Sequence, residues 1–295
     1  MAILAPSDSR ILLHGIANPL ARFQCAEIPR HGTRLAGIVA ANSDELAGWS
    51  PGDVPVFQTT RDAAKSAGAN LSMVFSAPCA VKAAVIDAIA ARVPLIVVLT
   101  EHVPVHDALL LRHMARRAGV TLIGPNSSGL LSPGRVKAGF FVEDICRPGR
   151  IGIVSKSGSL AYAVMAEMKS SGLGISTVVA IGPDAVKGID FREPLSLFQA
   201  DPETDAIVLL GEIGGGDEEN AASFIASSIT KPVVTFISGR SVSVGQSMGH
   251  AHAIAGLGRG DHTTKVRAFA SAGVMVAQNI GEILVMLKAL NTRPT

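Results

Sequence analysis

The chain has 295 residues, of which 48% are apolar and 17% charged, and its net charge is +2. This length and apolar content support two packed cores and argue against disorder. No block of basic residues indicates a nucleic-acid surface, and the richest apolar stretch, 93–99, is far shorter than the roughly 18 to 20 residues of a membrane helix.

Neither the first 20 residues nor the cysteines indicate secretion. The segment 1–20 has no continuous apolar region followed by a cleavage site, so we expect a cytoplasmic location, or an organelle matrix after processing. Cys25, Cys79 and Cys146 are odd in number and widely spaced, which predicts buried small apolar residues rather than disulfides. His250 and His252 lack the spacing of a zinc site, so no metal is expected.

In the first part of the chain, short runs rich in Val, Ile and Leu alternate with segments of helical period. Strands are predicted at 10–14, 35–40, 71–76, 95–99 and 120–123. Helices are predicted at 20–30, 61–67, 80–91 and 106–118. This alternation predicts a doubly wound, Rossmann-like sheet of buried parallel strands.

The tract 129–149 contains several Gly and Pro residues, which predicts a linker between a first domain at 1–128 and a second at 150–295. Alternation then resumes. Strands are predicted at 151–154, 176–181, 206–210, 233–236 and 274–276, and helices at 159–170, 191–200, 217–228, 264–272 and 280–290. The second domain is therefore predicted to be α/β and flavodoxin-like.

Two loops follow strands of the first domain, where α/β proteins bind ligands. The loop 15–21 lacks two of the three glycines of a dinucleotide fingerprint, so a dehydrogenase is not favoured. A helix beginning there, with Pro19 in its first turn, could still attract phosphate. The Gly-Pro-Asn-Ser-Ser-Gly segment at 124–129 fits a ligand loop and a structural turn equally well.

The Ser-Lys-Ser-Gly-Ser segment at 155–159 joins a predicted strand to a predicted helix. Its free amides would face an anion, although simple N-capping by a serine explains the same residues. The segment matches neither Gly-x-Ser-x-Gly nor Ser-x-x-Lys, and the chain has no Walker loop. A nucleotide site would have to be unconventional or belong to another chain.

Two reactive side chains are set among small residues. Glu212 lies in Gly-Glu-Ile-Gly-Gly at 211–215, and His250 in Met-Gly-His-Ala at 248–251. An imidazole nucleophile needs a partner that fixes its tautomer and stabilises its positive charge, and a carboxylate does both. His250 could equally be a structural histidine, and the sequence does not show whether the two side chains touch.

These motifs together resemble the α subunit of succinyl-CoA synthetase and related acid–CoA ligases. The resemblance covers nearly the whole chain. It rests on Gly-Pro-Asn at 124–126, the segment from Gly152 to Leu160, Asp-Pro-Glu-Thr at 201–204, and the two motifs around Glu212 and His250.

The resemblance implies an N-terminal Rossmann-like CoA-binding domain and a flavodoxin-like ligase domain. His250 would be the phosphohistidine and Glu212 would orient it, while Ser157, Gly158 and Ser159 would hold the phosphate. ATP or GTP with Mg²⁺ would be bound mainly by a partner ATP-grasp β subunit. A small carboxylic acid would be activated as an acyl phosphate, which the CoA thiol then attacks.

The resemblance also implies ligand contacts for two further sets of residues. CoA contacts are expected from Ala17, Asn18, Pro19, Leu20, Ser76, Ala77, Pro78 and Glu101, and substrate contacts from Asn126 and Tyr162. The first glycine loop of the family is replaced here by residues 16–21, and its Pro-Gly-Lys-Gly-Gly stretch by residues 41–45. A lysine that could pair with a CoA phosphate is thereby lost, and Asp44 and Glu45 would tend to repel one.

Three alternatives stay open at this point. The chain could be a ligase for an acid other than succinate, or a CoA- or nucleotide-sensing regulatory module that kept the fold and lost turnover. A domain of a citrate-cleaving lyase or transferase is a more distant alternative. The acid itself, and the choice between ADP and GDP, do not follow from the sequence.

Overall fold

The computed structural model describes residues 3–243, 245–250, 252–254, 256 and 260–290. The chain forms two compact units. The N-terminal unit extends to Phe141 and includes Val186–Ile189, and the C-terminal unit comprises Val142–Ala185 and the chain from Asp190 onward. The predicted domain limits, 1–128 and 150–295, stay predictions.

The N-terminal unit contains a six-stranded parallel sheet. Its strands are β1 Arg10–His14, β2 Arg34–Val39, β3 Val56–Phe57, β4 Leu71–Val74, β5 Leu95–Val98 and β6 Thr121–Ile123. Its helices are α1 Pro19–Arg30, α2 Thr60–Ala67, α3 Val81–Ala90 and α4 Val105–Ala118. The strand order β3-β2-β1-β4-β5-β6 is that of a Rossmann sheet, which confirms the predicted fold.

The tract predicted as a linker contains an antiparallel hairpin in the N-terminal unit, formed by β7 Gly129–Ser132 and β8 Val136–Gly139. The two end glycines lie opposite each other, and a Cβ on Gly129 would come 2.1 Å from the carbonyl oxygen of Ala138. The glycines that suggested a loop therefore permit close approach of two strands.

In the described part of the C-terminal unit there are five parallel strands. They are β9 Pro148–Ser155, β10 Ile175–Ala180, β11 Ala206–Glu212, β12 Val233–Ser238 and β13 Met275–Ala277, in the order β13-β12-β11-β9-β10. The helices are α5 Gly158–Ser170, α6 Arg192–Ala200, α7 Asp217–Ser228, α8 His262–Ser271 and α9 Ile280–Ala289. This order is flavodoxin-like, as predicted, with its reversal between β9 and β11.

The buried character of the central strands explains why their Val, Ile and Leu runs were identifiable. Every residue of β4, β5 and β11 is buried, as expected where helices cover both faces of a parallel sheet. Among the strands that the structure describes, only β3 and the hairpin strands were not predicted, because each has at most four residues and is too short for a strand pattern. Within the described residues, no helix is long and apolar enough to cross a membrane.

The prediction that all three cysteines are buried is wrong for Cys79, which is exposed. It lies in the turn before α3, outside the sheet, whereas Cys146 is buried and Cys25 is half-buried. Burial raises the pKa of the Cys25 thiol to about 11, and burial together with the nearby Glu143 raises that of Cys146 to about 12.

We therefore expect a single thiol to react quickly with an aromatic disulfide reagent at neutral pH, because only thiolates attack and Cys25 and Cys146 stay protonated. The release of coloured thiolate, measured over time, should show one fast equivalent in the native chain. Cys79→Ser should abolish that fast phase. Fast labelling of the native chain by more than one equivalent would contradict the burial of the other two thiols.

Candidate active site

The structure brings Glu212 and His250 together. Glu212 is the last residue of β11, and His250 lies in the loop that follows β12. Nδ1 of His250 is 2.8 Å from Oε2 of Glu212. The Glu212 side chain is only 3% exposed, whereas that of His250 is 34% exposed. A buried carboxylate thus meets one edge of a partly accessible imidazole.

This geometry fixes which ring nitrogen carries the proton. An ionised carboxylate can only accept hydrogen bonds, so the Nδ1–H of His250 donates to Glu212. In the neutral imidazole the lone pair then lies on Nε2. The carboxylate also stabilises the positive charge that would develop on the ring when Nε2 attacks an electrophile. The pair is therefore arranged for nucleophilic chemistry at Nε2.

Small residues allow the backbone around His250 to fold tightly. The N–H of Met248 donates to the carbonyl of Ala253 at 2.8 Å, and the N–H of Ala253 donates to the carbonyl of His250 at 3.1 Å. Gly214, with φ of +92°, packs against this turn. A Cβ on Gly214 would come 2.1 Å from the carbonyl oxygen of His252. The glycines near Glu212 thus admit the histidine loop.

A buried charge cluster supports the Glu212 end of β11. Oε1 of Glu218 accepts the backbone N–H of Glu212 at 3.2 Å and is 2.9 Å from Nζ of Lys156. Its Oε2 lies 2.5 Å from Nζ of Lys265, which also contacts Glu219 at 2.9 Å. The side chains of Glu218 and Lys265 are fully buried. One carboxylate thus joins two ammonium groups and the strand that carries Glu212.

The pKa of Lys156 is raised although burial alone would lower it. The carboxylates of Glu218 and Asp217, with a smaller contribution from Glu212, outweigh the loss of solvent. Lys156 is therefore charged, and its ammonium group engages the acidic start of α7. Sequence reasoning missed Glu218 and Lys265. Glu218 could have been found from the three consecutive acidic residues at 217–219, which follow the glycines at 214–216. No feature of the sequence around Lys265 indicated its role.

The start of α5 lies at the same edge of the sheet as Glu212. Strands β9 and β11 are neighbours, with Ser155 paired with Leu210, so the segments that follow them emerge side by side. Ser157 caps α5 by accepting the N–H of Leu160 at 3.3 Å. The N–H groups of Gly158 and Ser159 open the helix and have no intrahelical acceptor. N-capping and anion binding are therefore compatible at this helix start.

The N-terminal unit contains a cavity of about 790 Å³. It lies at the carboxyl ends of β1, β2 and β4, where the strand order of the sheet reverses. The predicted CoA contacts that line it are Ala17, Asn18, Pro19, Ser76, Ala77 and Pro78. Leu20 and Glu101 do not line it. The side chain of Asn18 caps α1 by accepting the N–H of Leu20, and Leu20 is 52% exposed.

Gly15 shapes the floor of this cavity. Its φ is +77°, and a Cβ would come 2.3 Å from the backbone nitrogen of Ser76. The first loop after β1 and the loop after β4 therefore pass in close contact. The one glycine retained in this loop is the one that the close approach of the two loops requires.

His14, which also lines the cavity, is buried, with Nε2 3.3 Å from Oγ of Ser72. Burial lowers its pKa from 6.5 to about 4, against the opposing effect of Asp87. As the pH falls, the imidazole of His14 takes up a proton at a higher pH in the unfolded chain than in the folded chain. The free energy of unfolding should therefore fall between about pH 6.5 and pH 4, by up to ~3 kcal/mol from this group.

Urea unfolding of the native chain and of His14→Gln across this pH range checks the prediction. The variant should lose this part of the pH dependence while other acid-sensitive groups keep theirs. Parallel curves for the two proteins would show that His14 does not contribute to it.

The two predicted substrate contacts belong to different units. Asn126, with φ of +57°, follows the cis Gly124–Pro125 peptide bond in the N-terminal unit, and its N–H donates to the carbonyl of Thr100 at 2.9 Å. Tyr162 lies on α5, and partial burial raises its pKa. Among the described residues there is no group of three or more His, Cys, Asp or Glu side chains that could hold a metal.

Comparison with known proteins agrees with this two-part arrangement. Residues 7–102 match the CoA-binding domain family, and residues 148–290 match the succinyl-CoA ligase-like flavodoxin domain. A succinate–CoA ligase [ADP-forming] α subunit of Archaeoglobus fulgidus is 41% identical over 96% of this chain and 97% of its own length. The chain belongs to the succinate–CoA ligase α-subunit family.

The names of the relatives include ligases for more than one carboxylic acid. The malate–CoA ligase subunit α of Methylorubrum extorquens is 35% identical to the present chain, and the match covers 95% of each protein. A solved ATP citrate lyase from Methanothrix soehngenii, in complex with citrate and coenzyme A, superposes with a TM-score of 0.86 at 23% identity. The match covers 98% of this chain and half of that lyase chain, and it shows the fold alone.

Proposed function

We propose that the chain is the α subunit of a nucleoside-diphosphate-forming acid–CoA ligase in which His250 carries the phosphoryl group. The observation that carries the proposal is the contact between Nδ1 of His250 and the buried Glu212 carboxylate, in a chain of this family. The helix start at Ser157, Gly158 and Ser159 emerges at the same sheet edge and supplies amides for the phosphate.

In the proposed reaction, Nε2 of His250 attacks the γ-phosphorus of a nucleoside triphosphate, and the nucleoside diphosphate leaves with the bridging oxygen. Glu212 holds the ring and stabilises its charge. A carboxylate oxygen of the acid then takes the phosphoryl group, which restores the imidazole. The CoA thiol loses its proton as its sulfur attacks the acyl carbon, and inorganic phosphate leaves.

The nucleotide and Mg²⁺ are assigned in this proposal to a partner β subunit of the ATP-grasp class, as the family resemblance implies. This is consistent with the chain having no Walker loop of its own. CoA is assigned to the cavity of the N-terminal unit. A cytoplasmic or matrix location stays a prediction. The acid is a small carboxylic acid, and the names of the relatives, which include succinate and malate ligases, favour testing several.

The test is to incubate the chain and its partner with ATP labelled at the γ-phosphate. We expect an acid-labile, base-stable label on the native chain and none on His250→Asn. The matched control is His252→Asn, because His252 is an exposed histidine two residues away and should keep its label. A label that persists on His250→Asn would refute the assignment.

A regulatory module that senses CoA without turnover is the second candidate. It is favoured by one observation, the acidic lining of the CoA cavity where the family carries a lysine. Turnover with CoA and a panel of carboxylic acids separates the two candidates. Formation of acyl-CoA with any of these acids would eliminate the regulatory module.

A further inference from the structure

The cavity of the N-terminal unit has an unusual charge for a site that would hold a phosphorylated nucleotide. Among the described residues that line it, the charged side chains are the carboxylates of Glu45 and Asp87, and none of these residues is a lysine or an arginine. Asp87 accepts the N–H and the hydroxyl of Thr60 through one oxygen, Oδ2, at 2.8 and 2.6 Å. Glu45 is the carboxylate that belongs to the loop after β2.

The Glu45 side chain is held in place by its own loop. Asn42 accepts the N–H groups of Asp44 and Glu45, which closes a short turn after β2. Oε1 of Glu45 then accepts the N–H of Ala41 at 2.9 Å, back across this turn. Ala41 and Glu45 both line the cavity. The carboxylate is thus fixed at the wall formed by the loop after β2.

The side chain of Arg22, a residue of α1, donates to backbone carbonyls, including two of this loop. Arg22 donates from Nε to the carbonyl of Ile16 at 2.9 Å, and from Nη2 to the carbonyls of Glu45 and Ala47. Its guanidinium also lies 5.6 Å from the ring centre of Trp49. Arg22 therefore fixes the loop that presents Glu45 and is not among the residues that line the cavity.

In a Rossmann sheet, a nucleotide places its phosphates at the start of the first helix and its ribose at the end of the second strand. An acidic residue at that strand end accepts hydrogen bonds from ribose hydroxyls. A phosphate on the ribose can only accept, and two anions repel, so such a group needs a lysine or arginine instead. Glu45 follows β2 and lines the cavity, so it is placed to accept hydrogen bonds from ribose hydroxyls rather than to bind a ribose phosphate.

We propose that this cavity selects a nucleotide whose ribose carries free hydroxyls, and that Glu45 disfavours the 3′-phosphate of CoA. The inference rests on the proposed function for the assignment of CoA-type ligands to this cavity. Dephospho-CoA, which keeps the pyrophosphate and pantetheine arm, is then the better ligand. This chain therefore departs from its family in how it binds the adenosine end of CoA, and not in how it binds the thiol end.

Isothermal titration of the full chain with CoA and with dephospho-CoA tests this selection. We expect dephospho-CoA to bind about tenfold more tightly than CoA to the native chain. Glu45→Gln should reduce that ratio towards one, and Glu45→Lys should reverse it. Asp44→Asn is the matched control, because Asp44 is an exposed neighbour that does not line the cavity, and its ratio should equal that of the native chain.

Tighter binding of CoA than of dephospho-CoA by the native chain would overturn the proposal. So would a ratio that Glu45→Gln and Glu45→Lys leave unchanged, or the absence of binding by both ligands. A selective loss of CoA binding in Arg22→Gln would instead assign the 3′-phosphate to that arginine. The labelling of His250 does not depend on this ratio, so failure of the proposed phosphoryl transfer is recognised separately.

Discussion

Replacing Glu212 with glutamine is expected to slow phosphoryl transfer to His250 by about a thousandfold or more, by analogy with loss of the orienting carboxylate in a catalytic triad. The side chain of Glu212 is 3% exposed and accepts from Nδ1 of His250 at 2.8 Å. A glutamine amide can donate to Nδ1, which favours the tautomer with its proton on Nε2. The nucleophilic lone pair is then lost from the attacking atom.

Rapid-quench labelling with γ-labelled ATP, in the presence of the partner subunit, measures this rate directly. Glu212→Asp is the informative companion, because it keeps the charge and should retain more of the rate than Glu212→Gln. An unchanged melting temperature and unchanged ligand binding by the N-terminal unit would show that the fold is intact. A rate near that of the native chain for Glu212→Gln would mean that Glu212 does not set the tautomer.

The strands and helices that could be predicted from the sequence are those with a complete local pattern. The buried strand Ala206–Glu212 is apolar along most of its length, and α7 was predicted at its observed bounds, Asp217–Ser228. The hairpin that begins at Gly129 could not be predicted. Its strands are held by cross-strand pairing and by close backbone contact, and neither has a local sequence signal.

The candidate site shows the same division between local and distant information. Glu212 and His250 were identifiable because each stands among small residues, although 38 positions separate them. Lys265 was not, because an isolated lysine in an amphipathic helix predicts a solvated side chain. Its burial results from α8 packing beside α7, where Glu218 and Glu219 satisfy the charge. Such partners are set by tertiary packing rather than by any motif.

The buried charge cluster around Glu218 is expected to give the largest effect on stability. Lys265→Met removes an ammonium group that is fully buried and contacts Glu218, Glu219 and the carbonyl of Gly215. Glu218, itself fully buried, is left with Lys156 as its remaining ammonium partner. Breaking such a pair from one side destabilises a protein by about 3–5 kcal/mol, because an incompletely compensated charge stays buried.

Urea unfolding of Lys265→Met measures this loss, with Lys82→Met as the matched control. Lys82 also pairs with a carboxylate at 2.8 Å, that of Asp107, but its side chain is 45% exposed, so its loss should change stability by less than about 1 kcal/mol. Glu218→Gln combined with Lys265→Met should destabilise less than the sum of the two single changes, because the second change removes the charge that the first leaves unpaired. Strict additivity would show that Glu218 and Lys265 do not act as a pair. In that case Lys156 alone would compensate the buried charge of Glu218.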